Sequence, residues 1–406
     1  MHRPFNLVLY AFILFFFITA LGLHITDNQN QHFMYLAQSF LQGKLHFLQK
    51  PAKTWVDVVV YGGHDYWHMG PGPAVLLMIP VYLFSLFGEF FYQGYLQIFL
   101  TAGTFYICQR IATKYKYSLI DSLFLALAFC FGSVYLTIAY VPWSWYFSQA
   151  ITTFFLFLAI FEWHGRKRYW LIGVCIAVVL SCRTTATIGL LFFIADIYWK
   201  NKDRLNVKFR QSFQLLLPVI LVGVMLMSYN YARFGNILET GYMMAGNKQL
   251  DDANRYELLT YGLFQIRNIP TNVYYYFIKT VDPIRVDHYG DFGQTFILKP
   301  PYVAALSPGA GFFVTSPIFL YVFALFKKRR IPRVVWLATP PTIVILIILL
   351  MFFWPGWGQV GPRYTLDFLP FLYLILLSSF NKSRLTLVAK TVIVASVISN
   401  FYLLVT

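Results

Sequence analysis

The charged residues of this chain stand out because almost everything around them is apolar. Arg363 and Asp367 lie in a Gly/Pro/Trp-rich stretch, residues 354–370, between two apolar runs. Arg183 lies inside an apolar stretch of its own. Charge and irregular backbone at the edge of a bilayer are costly, and are kept mainly where they face a cavity or a ligand. These residues are therefore the first candidates for a functional site.

Their types suit the transfer of a sugar from a phosphate that is carried on a long lipid tail. The leaving phosphate is a stable anion near neutral pH, so no general acid is needed. The site must supply a carboxylate that takes the acceptor's proton and cations that hold the phosphate. Asp27, directly after the first apolar run, is the candidate base. Arg183, Arg233 and Arg363 are candidate phosphate ligands, because the guanidinium fork binds phosphate bidentately and stays protonated.

Other polar residues are expected to line the same site. Tyr364 and Asp367 follow Arg363 within the stretch 354–370. His64, Asp65 and His68 form an H-D-x-x-H pattern. That pattern has two open interpretations, a divalent metal site or hydrogen bonds to the substrate. Asp27 also has a simpler alternative, since Thr-Asp-Asn is ordinary turn chemistry.

Composition predicts an all-α, polytopic membrane protein. The chain has 406 residues, 58% hydrophobic and 12% charged, against about 25% charged residues in soluble domains. The 20% share of aromatic residues suits contact with the membrane interface. We expect one integral membrane domain over residues 1–406. Residues 5–23 are long enough to cross as an uncleaved first helix, with a cleaved signal peptide as the alternative.

The net charge of +16 is explained by topology better than by nucleic acid. Basic residues cluster at 166–168, 200–210 and 327–330, between apolar runs, as cytoplasmic loops do under the positive-inside rule. This leaves no reason to expect a nucleic-acid partner. It also places three loops outside: a first loop at 24–69, a long loop at 230–308 and a motif loop at 355–365.

The apolar runs predict about 11 crossings, with one irregularity. A juxtamembrane helix is expected near residues 33–41 of the first outside loop, where the pattern is amphipathic. Between residues 70 and 165, four apolar runs would leave the basic cluster at 166–168 on the wrong side. One of them should be re-entrant or merged with its neighbour, and Arg110, Lys114 and Lys116 point to the region 74–111.

Taken together, these motifs resemble the GT-C superfamily of polytopic glycosyltransferases, which includes protein O-mannosyltransferases and lipid A aminoarabinose transferases. The likeness spans residues 5 to about 375. Its elements, in chain order, are Asp27 with Ala-x-Ser-x-x-x-Gly at 37–43, Tyr61-Gly-Gly-His-Asp-Tyr66 with Met69-Gly-Pro-Gly-Pro73, the N-x-x-R-F-G-x-x-x-x-x-G-Y stretch at 230–242, and the pair formed by residues 307–317 and 361–370.

The resemblance implies that Asp27 is the catalytic base and that Arg183 and Arg363 bind the lipid phosphate. It also implies juxtamembrane helices over an outward-facing cavity. Two departures stand out: Asn28 follows Asp27 where many relatives have a second acid, and residues 140–145 contain no acid. Either Asp57 or Asp65 substitutes, or one acid suffices, or the catalytic assignment is wrong.

The expected activity is inverting transfer of a sugar from a polyprenyl-phosphate donor to an acceptor outside the cytoplasmic membrane. The acceptor could be a lipid, a glycan or a protein. A flippase or transporter of the same lipid-linked sugar would use the same arginines without a base. A glycan polymerase or O-antigen ligase would instead take a pyrophosphate-linked oligosaccharide. No cofactor is required by this chemistry, although a divalent metal is possible.

Overall fold

The computed structural model describes residues 3–49, 57–199, 204–249, 252–290 and 293–406. These residues are mostly helical. The α-helices are α1 (Arg3–Thr26), α2 (His32–Leu41), α3 (Gly72–Ser85), α4 (Gln93–Lys114), α5 (Leu119–Cys130), α6 (Tyr135–Tyr140), α7 (Ser144–Trp163), α8 (Tyr169–Cys182), α9 (Leu190–Trp199), α10 (Leu205–Phe234), α11 (Tyr242–Gln249), α12 (Asp252–Tyr261), α13 (Ile269–Val273), α14 (Phe312–Thr315), α15 (Arg333–Met351), α16 (Leu369–Ser379) and α17 (Leu387–Val405).

Segments of 3₁₀-helix and one π-helical turn lie between or next to several of these helices. The 3₁₀ segments are Thr185–Gly189, Ile266–Asn268, Pro317–Lys327, Arg363–Asp367 and Asn381–Ser383, and a π-helical turn covers Tyr274–Ile278. One of them replaces an expected membrane helix, since the apolar run at 309–326 forms the short α14 and then the 3₁₀ segment that begins at Pro317. Proline lacks an amide hydrogen and disfavours helical backbone in the residue before it, so α14 ends there.

Two antiparallel hairpins lie in the predicted outside loops. Strand β1 (Val58–Tyr61) pairs with β2 (His64–Trp67), and β3 (Asp282–Gly290) pairs with β4 (Gly293–Ala304). The first hairpin follows from its sequence, because Val58, Val59 and Val60 are β-branched and the Gly62-Gly63 turn has positive φ at both positions. The chain is therefore mostly helical rather than wholly so.

Within the part of the chain that the structure describes, five helices are long and apolar enough to cross a membrane. They are Asn6–Thr26 within α1, Ser144–Trp163, Leu205–Phe234, Arg333–Met351 and Leu387–Val405. Shorter apolar helices of 10–17 residues pack among them. This supports a membrane protein, whereas the number of crossings stays a prediction.

The interior is centred on α16, nearly all of whose residues are buried. Tyr373 of this helix contacts Phe129 of α5 and Phe157 of α7 edge-on, with ring centroids 5.7 Å away in each case. In contrast α10 is largely exposed, with Val224 57% and Met225 65% accessible. Exposed apolar side chains on a long helix indicate a lipid-facing surface.

Helices α3 and α4 both begin beside the C-terminal end of another helix. Gly70 and Gly72, where α3 begins, pack directly on Ser181 at the end of α8. Gln93, the first residue of α4, binds the loop after α1. Its backbone amide donates to Gln31 Oε1 (2.9 Å), and its side-chain amide donates to the Pro142 carbonyl (2.7 Å). The expected helix near residues 33–41 is present as α2, which packs along α3.

The contact at Gly70 yields a first prediction. A Cβ added to Gly70 would overlap the carbonyl oxygen of Ser181, which is backbone and cannot rotate away. We expect Gly70→Ala to cost about 1–3 kcal/mol of stability, the usual range for overpacking. A thermal melt of the purified protein measures this. Gly22→Ala is the matched control, because nothing lies within 4 Å of its added Cβ. Equal destabilisation of both variants would contradict the close packing.

Candidate functional site

A buried ion pair joins two of the expected site residues. The Arg183 guanidinium binds both oxygens of Asp367, with Nε 2.6 Å from Oδ1 and Nη2 2.9 Å from Oδ2. The hydroxyl of Thr185 also donates to Asp367 Oδ2. The carboxylate side chain is fully buried and that of Arg183 is only 14% exposed. The charge of Arg183 is therefore largely compensated by Asp367.

Local helical geometry creates this pair. Helix α8 ends at Cys182, and Arg183 is already extended, so its side chain leaves the helix axis. Asp367 ends the 3₁₀ turn Arg363–Asp367. Positions three apart eclipse in a 3₁₀ helix, so Tyr364 and Asp367 share one face of that turn. The Arg183 guanidinium contacts both, lying 5.2 Å from the centre of the Tyr364 ring.

Arg363 is the contrasting case, a buried arginine without a counter-ion. Its residue is 7% exposed, and its guanidinium lies over Tyr146 (4.7 Å) and Tyr364 (5.2 Å). Among the described residues no carboxylate forms an ion pair with it, and its Nε has no hydrogen-bond partner. Leaving a buried charge uncompensated is expensive. This position is therefore suited to a ligand that brings a negative charge.

A cavity of about 520 Å³ is lined by Tyr364, whose ring the Arg363 guanidinium contacts. Leu180 of α8, Leu226 and Met227 of α10, and Leu349 at the end of α15 form an apolar side. The polar residues of the lining include His68, Arg183, Thr184, Thr185, Asn230, Arg233, Tyr242 and Tyr364. Arg363 does not itself line the cavity and lies behind the Tyr364 ring. An apolar wall with convergent polar groups at one end matches an amphiphilic ligand.

Arg233 ties the first outside loop to α10. Its guanidinium lies over the Tyr229 and Phe234 rings, at 3.9 and 4.6 Å, and donates to the Trp67 carbonyl and to Asn230 Oδ1, both at 2.7 Å. These partners are neutral. Arg233 therefore supplies positive charge at the polar end of the cavity while it holds β2 in place.

His68 presents a neutral ring to the cavity. Its Nδ1 lies 2.9 Å from the carbonyl oxygen of Asp57, which can only accept, so Nδ1 carries the proton. Burial lowers the pKa of His68, and Arg233 acts in the same direction, against the opposing influence of Asp57. The ring meets Tyr242 edge-on with centroids 4.7 Å apart. The uncharged imidazole can therefore accept a hydrogen bond through Nε2.

His64 and Asp65 lie away from this cavity. His64 stacks on His46, with ring centroids 4.0 Å apart, and the backbone carbonyl of Asp65 accepts from Phe47. Adjacent residues of a strand point to opposite faces, so the H-D-x-x-H pattern cannot converge on one ion. Within the described residues no group of three or more His, Cys, Asp or Glu side chains could hold a metal.

Asp27 is separated from Arg363 by the rings of Trp143 and Tyr146. Its Oδ2 accepts from the indole N–H of Trp143 (2.9 Å), and its Oδ1 accepts from the backbone amide of Gln29 (3.0 Å). It does not line the 520 Å³ cavity. The Trp143 ring stacks with Tyr146, centroids 6.0 Å apart, and Tyr146 carries Arg363. Asp27 and Arg363 are thus joined through two aromatic rings.

The structure brings together Arg183, Arg233, Tyr364, Asp367 and His68 at or directly behind the cavity. It also adds residues that carried no sequence signal: Tyr146, and the π-helical Tyr276, whose buried hydroxyl lacks a partner in the described structure. No protein-family model, curated protein or solved structure matches this chain. The GT-C resemblance therefore rests on the motifs alone.

Proposed function

We propose that this chain is an inverting glycosyltransferase that takes a hexosyl or pentosyl group from a polyprenyl-phosphate donor. The observation that carries the proposal is the buried Arg363, which has no counter-ion among the described residues and lies over Tyr364, a residue that lines an amphiphilic cavity. A lipid phosphate supplies both things that this arrangement lacks, a negative charge and an apolar tail. The guanidinium fork is the group best matched to phosphate oxygens.

The donor lies with its lipid along the apolar wall and its phosphate among the guanidinium groups. Leu226 and Met227 belong to α10, the most lipid-exposed long helix, so the tail can enter from the bilayer. Asp367 neutralises Arg183 and fixes its orientation. Arg233, which lines the cavity, and Arg363, on the Tyr364 ring, then provide positive charge that stabilises the departing phosphate.

In the reaction the acceptor hydroxyl attacks the anomeric carbon while the bond from that carbon to the phosphate oxygen breaks. The electron pair leaves with the phosphate, and Asp27 takes the hydroxyl proton. Inversion needs the base and the leaving group on opposite faces of the sugar. The Trp143–Tyr146 pair separates Asp27 from Arg363, which supports this division of roles.

The proposal includes 11 crossings of the cytoplasmic membrane, with the site at its outer side. Helix α3 begins beside the C-terminal end of α8, and α4 begins beside the C-terminal end of α1, which supports an α3 that does not cross. Removing α3 from the crossings restores the alternation and puts every basic cluster inside.

Labelling of a new cysteine tests this topology. Phe87 follows α3 and is 82% exposed. Phe87→Cys is expected to react with a membrane-impermeant maleimide added to intact cells, because residue 87 lies outside. Lys116→Cys is the control and should react only after permeabilisation. The four native cysteines are buried and add little background. Protection of residue 87 in intact cells would show that α3 crosses.

A transfer assay with Asp27→Asn tests the chemistry. Purified protein in nanodiscs is given radiolabelled polyprenyl-phosphate hexose and pentose donors with envelope lipids and glycans as acceptors. The wild type is expected to transfer label, and the amide variant to lose at least about 10²-fold, since it cannot accept the proton. Equal transfer by both proteins would remove Asp27 from the base role.

One observation favours the alternative of a flippase for the same lipid: Asp27 does not line the donor cavity. A flippase needs the guanidinium groups and the apolar wall but no base. It would bind donor saturably, move it across a vesicle bilayer without cleavage, and tolerate Asp27→Asn. A glycan polymerase or ligase would cleave a pyrophosphate-linked donor instead, which separates it by donor type.

A further inference from the structure

A second cavity, of about 410 Å³, lies between α2 and the end of α3. Its polar lining is dominated by side-chain amides and a carboxylate, from Gln38, Gln42, Gln49 and Glu89. None of these four side chains makes a hydrogen bond or ion pair with another part of the described chain. An amide offers two donors and an acceptor oxygen, so hydrogen-bonding capacity is left for a ligand.

The lining also limits the charge of that ligand. Among the described residues that line it there is no lysine or arginine, and Glu89 contributes a negative charge. A phosphate or a uronate would meet an unpaired carboxylate and no cation, which is unfavourable. The described lining of this cavity therefore differs in charge from that of the 520 Å³ cavity, which includes Arg183 and Arg233.

Aromatic rings supply the other half of a sugar site. Tyr35, Tyr82 and Phe90 border the cavity together with the amides. Ring faces bury the C–H surfaces of a pyranose, while the amides bind its hydroxyl groups, the combination of apolar surface and few placed polar groups typical of ligand pockets. From this lining we infer that the α2–α3 cavity binds an uncharged saccharide.

Its place in the fold connects it to both halves of the proposed site. Helix α2 begins five residues after Asp27, and α3 runs from the donor cavity at Gly70 and Pro71 to this one. At 1.5 Å per residue its 14 residues span about 21 Å. We identify this saccharide with the distal part of the glycosyl acceptor, and that identification rests on the proposed function. The inference that the cavity binds a saccharide does not depend on it.

Direct binding tests the inference. Full-length protein in nanodiscs is titrated with neutral tetrasaccharides of hexose or N-acetylhexosamine and with a uronate tetrasaccharide, followed by saturation-transfer NMR. The neutral sugars are expected to bind, at least tenfold more tightly than the uronate. Gln38→Ala and Gln42→Ala should each weaken neutral binding at least threefold, and together at least tenfold.

Controls separate this site from the donor site. Gln29→Ala is the matched control, an exposed glutamine outside the cavity, and Arg363→Ala alters only the proposed phosphate site. Both variants should bind neutral sugar as the wild type does.

A repeat with the same sugar on a lipid distinguishes a glycolipid from a free glycan, since Leu86 and Phe87 are exposed beside the cavity. Tighter binding of the lipid form would assign a glycolipid, and equal binding a free glycan.

Two results would overturn the inference: no saturable binding of any neutral saccharide, or binding that the paired Gln38 and Gln42 substitutions leave unchanged. Failure of the proposed function has a different signature. Sugar binding that depends on these glutamines, in a protein without transferase activity, would keep the saccharide site and reject the enzyme.

Discussion

Arg363→Ala is expected to lower the rate of sugar transfer by about 10²–10³-fold, the usual loss when one group that stabilises developing negative charge is removed. The variant should melt at or above the temperature of the wild type. The reason is that Arg363 is buried with no counter-ion among the described residues, so its removal relieves a desolvation cost. Transfer kinetics and a thermal melt on the same preparation measure both effects.

Two further variants make this result specific. Arg363→Lys keeps the charge but loses the planar fork, so its activity should fall between the wild type and the alanine variant. Arg267→Ala removes an arginine that also lies over a tyrosine ring, that of Tyr261 at 4.2 Å, but whose side chain is 48% exposed. Its activity should not change. If Arg363→Ala folds poorly, and the fraction that does fold transfers sugar at the wild-type rate, then Arg363 has a structural role only.

Asp367→Asn is expected to destabilise the protein by about 3–5 kcal/mol, the range for breaking a buried ion pair from one side. The amide fills the same space but leaves the Arg183 guanidinium, 14% exposed, without its counter-charge. Thermal or denaturant unfolding in one detergent measures the loss. Activity should fall as well, because Arg183 would no longer be held at the cavity.

The matched control is a surface pair of the same chemistry. Glu257 and Arg267 are 2.5 Å apart with side chains 44% and 48% exposed, and Glu257→Gln should cost less than about 1 kcal/mol. Replacing both buried partners, Arg183→Met with Asp367→Leu, should recover stability but not activity. A small loss for Asp367→Asn, similar to that for Glu257→Gln, would show that the buried pair does not hold the site together.

The helices could be predicted from the sequence because hydropathy is a local property. The apolar runs at 147–161 and 171–181 became α7 and α8 with ends displaced by only one to three residues. Hydropathy does not report whether an apolar helix crosses the membrane or lies along it. The orientation of α3 depends on distant contacts, those of Gly70 with Ser181 and of Gln93 with Gln31.

The candidate site was predictable only in its residue types. Composition and position indicated that Arg183, Arg363 and Asp367 face something polar, but treated both arginines alike. Their difference arises because Asp367, 184 residues away from Arg183, pairs with that arginine, while no described carboxylate pairs with Arg363. Tyr146 could not be selected among 29 tyrosines, since only the packing shows that its ring lies against the buried Arg363.

The most direct test of glycosyl transfer uses a polyprenyl-phosphate sugar with one label in the sugar and another in the lipid. Purified protein in nanodiscs is incubated with this donor and envelope acceptors, and both labels are followed. We expect the sugar label to appear in the acceptor with inverted anomeric configuration, and an equal amount of the lipid label to appear as free polyprenyl phosphate. Saturable binding in which both labels stay in the intact donor, with every acceptor supplied, would contradict transferase activity.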